Sequence, residues 1–201
     1  MIYVEYVSRR PGIELADFYQ VVRQVQKNWE LGSPEDHLVL NAGRTWRLGP
    51  EPEYLGVWHV PNAGLERLGQ WEQKFRERGS VGDEETMARV ARIDVAGCYD
   101  ELVEPVPARN GLYYVERFRP AESREQIRQH YADRRESLPG FRLNLLALRI
   151  GRLGPEPGGL AAWTVPDFAS LERIARQLDG LTSPVELVAA CLYADIGSEI
   201  L

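Results

Sequence analysis

The side chains of this sequence that could move a proton or hold an anion fall in a few places. His59 stands inside an apolar run, Val57-Trp58-His59-Val60-Pro61. An imidazole there could serve as a general base, or as a ligand to haem or a metal. The plainer reading is a neutral ring whose hydrogen bonds are met inside the protein. Glu5 and Glu116 close two matching strings, Tyr3-Val4-Glu5 and Tyr114-Val115-Glu116. A carboxylate in such a string either does acid–base work in a pocket or pairs with a nearby donor, because an unpaired buried carboxylate is costly. His130, Tyr131 and Arg134 are spaced to converge within one helical turn. A guanidinium on a helix face that looks at a sheet needs a counter-charge or a ligand anion.

The rest of the sequence narrows the chemistry. Three histidines without close spacing make no metal site, and none is expected. Cys98 and Cys191 are far apart and each sits in an apolar stretch, where a free thiol behaves as a small hydrophobe. No phosphate-binding glycine loop, nucleophile elbow or Ser-His-Asp set is present. A net charge of −6 argues against nucleic acid as a partner. All basic residues except Lys27 and Lys74 are arginine, a compositional bias and not a nucleic-acid signal. No apolar run reaches 18 residues, so no membrane span is expected. The opening residues Met1-Ile2-Tyr3-Val4-Glu5 read as a strand and not as a signal peptide, which points to the cytoplasm.

The elements that must position these residues occur twice. Arg47-Leu48-Gly49-Pro50-Glu51-Pro52 recurs as Arg152-Leu153-Gly154-Pro155-Glu156-Pro157. Val57-Trp58-His59-Val60-Pro61 matches Ala162-Trp163-Thr164-Val165-Pro166, and Leu65-Glu66-Arg67-Leu68 matches Leu171-Glu172-Arg173-Ile174. Val90 to Leu102 aligns without gaps to Val188 to Ile200. Each copy opens on a β-rich run, Ile2 to Val7 and Leu112 to Phe118. A helix follows, with Phe18, Val21, Val22, Val25 and Trp29 at helical spacing in copy one. In copy two it runs from about Glu122 to Leu138 and ends at Pro139-Gly140. A second strand alternates as Leu38, Leu40, Ala42 and Leu143, Leu145, Ala147. After a Gly-Pro turn come a tryptophan-bearing strand, a Leu-rich helix and a fourth strand. Gly79 to Thr86 reads as a loop, a candidate lid.

The order β-α-β-β-α-β is ferredoxin-like. The expected fold is therefore α+β, with residues 1–104 as the first repeat, 105–110 as a short stiff linker built on Pro105-Val106-Pro107, and 111–201 as the second. Helices cover one face of each four-stranded antiparallel sheet. Yet strands such as the one holding Leu145-Leu146-Ala147-Leu148 are apolar on both faces, so the bare sheets should pack face to face within one chain. The product is an intramolecular dimeric α+β barrel, acting as a monomeric pseudo-dimer or a homodimer.

With those strings in place the chain resembles the dimeric α+β barrel superfamily, and within it NIPSNAP-like and stress-responsive barrel proteins. The strand, Arg10-Pro11-Gly12, helix opening and the strand-Trp, turn, Leu-rich helix segment carry the resemblance over the whole length, twice. It implies a small-molecule-binding protein or enzyme, such as an oxygenase or isomerase acting on a small apolar molecule. The other reading is a non-catalytic binding or assembly module. No cofactor is expected, with haem left open. The haem-degrading pattern wants an asparagine in the first strand, and neither copy has one there.

Comparing the copies sharpens the candidates. Glu5 and Glu116, Arg44 and Arg149, Arg47 and Arg152, and Trp58 and Trp163 are shared, as the common fold would require. His59 is replaced by Thr164, and His37 by Arg142. Val21, Val22 and Val25 stand where His130, Tyr131 and Arg134 stand in copy two. The expected ligand cleft is therefore in copy two, between helix and sheet, walled by His130, Tyr131 and Arg134, with Trp163 and Glu116 beneath. Its alternative is a solvated polar helix face. The expected catalytic pair, if there is one, is His59 with Glu5.

Overall fold

The computed structural model describes residues 1–32, 36–45, 52–61, 65–78, 81–178 and 184–196. The elements run β1 (Ile2–Arg9), α1 (Leu15–Gly32), β2 (His37–Arg44), β3 (Tyr54–His59), α2 (Glu66–Arg78), α3 (Val81–Val90) and β4 (Ala91–Glu101), then β5 (Leu112–Pro120), α4 (Arg124–Ser137), β6 (Arg142–Arg149), β7 (Gly159–Val165), α5 (Phe168–Leu178) and β8 (Val185–Asp195). Local chemistry explains several ends. Ser123 caps α4 through a capping box with Gln126. Gly12 and Gly140 adopt positive φ at the turns before α1 and after α4.

All eight strands form one closed antiparallel barrel in the order β1-β3-β2-β8-β5-β7-β6-β4. The two sets of four do not stack as separate sheets, as their two-sided apolarity suggested. They join edge to edge through two three-residue ladders, Ala42–Arg44 against Tyr193–Asp195 and Tyr99–Glu101 against Ala147–Arg149. Closure removes the open edges along those stretches and turns each bare face into part of one lumen. That lumen is filled by side chains, among them Val4, Tyr6, Leu40, Val57, Tyr113, Leu145, Ala162 and Tyr193.

Helices cover the outside, and the two halves differ. In the second, one continuous cluster runs from α4 to α5, through Phe118, Ile127, Tyr131, Trp163 and Ile174. In the first there are two. Phe18, Val22 and Tyr54 pack under α1 and α3, and Trp58, Val60 and Trp71 pack under α2. Asp36, 3% exposed, accepts from Arg67 and from the indole N–H of Trp71 and so ties α2 to the start of β2.

Three sequence readings change. Gly79 and Ser80 lie outside the described residues, but Val81 to Thr86 open α3 and are not a loop. Arg89 in its last turn suits the negative helix C-terminus, and Met87 and Val90 pack beneath α1. The fourth strands align differently from the ungapped match of Val90 with Val188. Glu5 pairs with Ala96 and Glu116 with Ala190, so Tyr99 corresponds to Tyr193 and Glu101 to Asp195. Cross-strand pairing sets register, and apolar likeness between segments does not. Finally, the proline linker is more than a stiff spacer. Val106 N–H donates to the carbonyl of Asn144, Ala108 N–H donates to that of Val39, and Ala108 enters the lumen core. Val39 and Asn144 sit at register shifts in β2 and β6, where bulged backbone has hydrogen-bonding groups to spare. The linker thereby plugs one end of the barrel.

Candidate functional site

Glu5 and Glu116 occupy equivalent places on β1 and β5, each facing outward toward the helices and flanked in register by small residues: Gly56 and Ala96, or Ala161 and Ala190. Their surroundings are opposite in kind.

In the second half, Arg134 from α4 grips Glu116 with two N–H bonds of 2.9 and 2.7 Å. Tyr131 donates its hydroxyl to the same carboxylate at 2.9 Å. Glu116 is 0% exposed and Arg134 only 5%. Burial works against the guanidinium's charge, but the bonds and charge of Glu116 outweigh it and raise the pKa of Arg134. Burial, then the charge of Glu116, pushes the Tyr131 phenol well above its ordinary range. Trp163 stacks on Tyr131 at 6.0 Å between ring centroids, and Arg134 lies over both rings at 5.2 Å. His130 stands edge-on to Tyr131 and is partly exposed; burial, then the charge of Arg134, lowers its pKa. The structure thus brings His130, Tyr131, Arg134, Trp163 and Glu116 together. The polar groups of Tyr131 and Arg134 are turned inward onto Glu116, and aromatic rings fill the space around them.

In the first half, the residues of α1 that align in sequence with Tyr131 and Arg134 are Val22, which is buried, and Val25, which is half-buried. Glu5 is partly exposed. Desolvation raises its carboxyl to about 6, against a smaller lowering from a hydrogen bond with the Tyr3 hydroxyl. Tyr54 leans over Gly56, the register partner of Glu5, and its hydroxyl donates to Asn41 at 3.0 Å and accepts from Gln26 at 2.8 Å. Gln26 is 6% exposed, and its Oε1 is buried with no hydrogen-bond partner among the described residues. This polar set was not anticipated. Gln26 and Tyr54 lie on a helix and a strand whose spacing gave no sign that they meet.

His59 does not converge with Glu5. It is the last residue of β3, paired in register with Ile2 and His37. Its Nε2 lies 3.7 Å from the carboxylate of Glu101 at the barrel rim. Burial, then the nearby amino terminus, lowers its pKa. Trp58 is 3% exposed and Trp163 0%, both packed beneath helices. Among the described residues no group of three or more His, Cys, Asp or Glu side chains is arranged to hold a metal ion. No described helix is long and apolar enough to cross a membrane.

No family model matches the chain, and no curated protein matches it significantly. Solved structures do. A protein described as a chlorite dismutase is 13% identical with a TM-score of 0.59, over 98% of this chain and 95% of that one. A haem-binding protein from Thermus thermophilus is 9% identical with a TM-score of 0.58, over 96% and 89%. A protein described as a monooxygenase, from Lactobacillus acidophilus, is 10% identical with a TM-score of 0.54, over 96% and 95%. At such identities the likeness shows the fold. That fold is an antiparallel eight-stranded α+β barrel, and the likeness singles out no NIPSNAP-like protein.

Proposed function

We propose that this chain binds a small, largely apolar molecule in the first half, between α1 and the outer face of the sheet, with Glu5 as the group that holds or exchanges a proton. The observation that carries this reading is the contrast between the equivalent carboxylates. Glu116 is sealed and neutralised by Arg134, whereas Glu5 is partly exposed and titrates near 6. A carboxyl poised near neutral pH in an apolar setting suits general acid–base work. The unpartnered Oε1 of Gln26 supplies an acceptor in the same region, held by its bond to Tyr54. An enzyme of oxygenase or isomerase type fits this arrangement, as the activities named for some structural neighbours also suggest. His59 has no part in it.

We read the chain as tandem ferredoxin-like copies, 1–104 and 111–201, joined by 105–110. The matching element order, the equivalent registers and the repeated strings support that reading. On it, the second copy became structural: Glu116, Tyr131, Arg134 and Trp163 fill the space that a ligand would need.

Haem is the cofactor that a neighbour brings to mind. The residues of the second half do not fit it. Trp163 and Phe118 are 0% exposed and Tyr131 1%, and the Arg134–Glu116 pair closes the gap between them. In the first half, neither His37, exposed at the start of β2, nor His59, engaged with Glu101, lies beside Glu5. No step is assigned to haem.

A ligand-observed NMR fragment screen on the full chain tests the reading. We expect aromatic or aliphatic fragments bearing a hydrogen-bond donor to bind, with at least tenfold loss in Glu5→Gln and none in His59→Ala. Hits that bind Glu5→Gln as well as the parent would refute the site.

A further inference from the structure

One row of residues crosses three strands of the first half, paired in register: Asn41 on β2, Gly56 on β3 and Glu5 on β1. The flanking Leu40 and Ala42 point into the lumen, so Asn41 faces outward, as Glu5 does. The matching row of the second half is Leu146, Ala161 and Glu116. In the first half the phenol of Tyr54 fills the room that Gly56 leaves: a Cβ there would lie 3.0 Å from the Tyr54 hydroxyl. Gly159 stands in the place of Tyr54 in the second half, and the exposed Arg135 aligns with Gln26. The second half therefore builds the same strands with no counterpart of the set Gln26, Tyr54 and Asn41.

That set has a direction. The Tyr54 hydroxyl donates its one proton to Oδ1 of Asn41 at 3.0 Å, so toward Gln26 it can only accept, from Nε2 at 2.8 Å. The amide of Gln26 is thereby turned so that Oε1 is left over, buried and with no hydrogen-bond partner among the described residues. A buried carbonyl without a partner is costly, and the fold does not require this one, since the second half does without it. Register partners on antiparallel strands lie about 5 Å apart, so the hydroxyl above Gly56 and the carboxyl of Glu5 come within reach of one small molecule.

We infer that Gln26 is the specificity-determining residue of this site, and that the ligand is a neutral ring compound with an unsubstituted O–H or N–H, of the phenol or cyclic-amide class, donated to Gln26 Oε1. The inference rests on the Glu5 reading and deepens it: Glu5 handles the proton, and Gln26 selects the molecule. A site built around a buried hydrogen-bonding group rejects an analogue that cannot complete the bond, because the group is then left unpaired. Tyr54 and Asn41 act through Gln26 as positioning residues.

Ligand-observed NMR titration of the full chain with phenol and with anisole, its O-methyl counterpart, tests the inference. The parent should bind phenol at least tenfold more tightly than anisole. That ratio should fall below threefold in Gln26→Met, and comparing ratios cancels any general effect of the substitution on the cleft. Tyr54→Phe, which releases the amide, should lower the ratio at least threefold, and it decides the question if Gln26→Met does not fold by circular dichroism. A parent ratio below threefold, or a ratio that Gln26→Met leaves unchanged in a folded variant, overturns the role of Gln26. If Glu5→Gln still weakens phenol tenfold in that case, the Glu5 reading stands without it. If neither probe binds the parent, or Glu5→Gln binds both as the parent does, the Glu5 site itself falls and the role of Gln26 with it.

Discussion

Glu5 and Glu116, at equivalent register positions on β1 and β5, have opposite surroundings. Glu116 lies under a helix that brings a guanidinium, a phenol and an indole to it, and the outer face of the second half is one unbroken cluster. Glu5 shares a hydrogen bond with the Tyr3 hydroxyl, and the outer face of its half is divided between two clusters. The same carboxylate is thus an internal fastening in one half and a titratable, partly open group in the other. A buried charge is tolerated only with its partner, and a carboxyl without one keeps its proton to higher pH. A second trade shows the same divergence in packing. Val7 pairs with Tyr54 in the first half, and Phe118 pairs with Gly159 in the second. A Cβ on Gly159 would run into the ring of Phe118, so the large residue has changed strands.

The fastening should be the easiest difference to break. Arg134→Met leaves Glu116 buried without its counter-charge, and denaturant unfolding should show a loss of about 3–5 kcal/mol. Arg134→Met combined with Glu116→Gln should recover much of it. Next in size is the packing trade. Gly159→Ala should cost about 1–3 kcal/mol by overpacking. The double change Phe118→Val with Gly159→Tyr, which copies the first half, should cost less than the sum of its single changes when a double-mutant cycle is measured.

Glu5 predicts the pH dependence. Its folded value of about 6 lies above the ordinary 4.5, so the folded chain holds that proton more tightly than the unfolded chain does. Stability from this group is therefore full below about 4.5 and falls as pH rises through about 6. The span is at most about 2 kcal/mol at roughly 1.36 kcal/mol per unit. Glu5→Gln should flatten that part of the stability profile, and Val25→Arg should draw the Glu5 titration, followed by carbon NMR, to lower pH. The smallest effect belongs to the rim. His59→Ala removes a long contact with Glu101 and should change stability by less than about 1 kcal/mol at any pH.

How much of this was legible beforehand depends on the range of the forces involved. The repeated strings, the Tyr-Val-Glu strand openings and the convergence of His130, Tyr131 and Arg134 are local patterns, and the helical turn does bring those side chains to Glu116. The expected pairing of His59 with Glu5 fails because local sequence does not tell which residues of neighbouring strands come opposite each other: His59 lies opposite Ile2, and Glu5 opposite Gly56. The fourth-strand alignment failed because apolar segments resemble one another at several offsets, and only pairing with β1 and β5 chooses among them.

Sequence alone pointed to the α+β class, to the repeated strings and to the match of Glu5 with Glu116, because these follow from periodicity and from comparing one half with the other. Tertiary structure decided which carboxylate is sealed and which is open, and that the linker plugs one end of the barrel. Those outcomes depend on contacts between residues distant in the chain, and on whether a neighbouring helix arrives with a charge or with a methyl group. Local spacing carries no record of either.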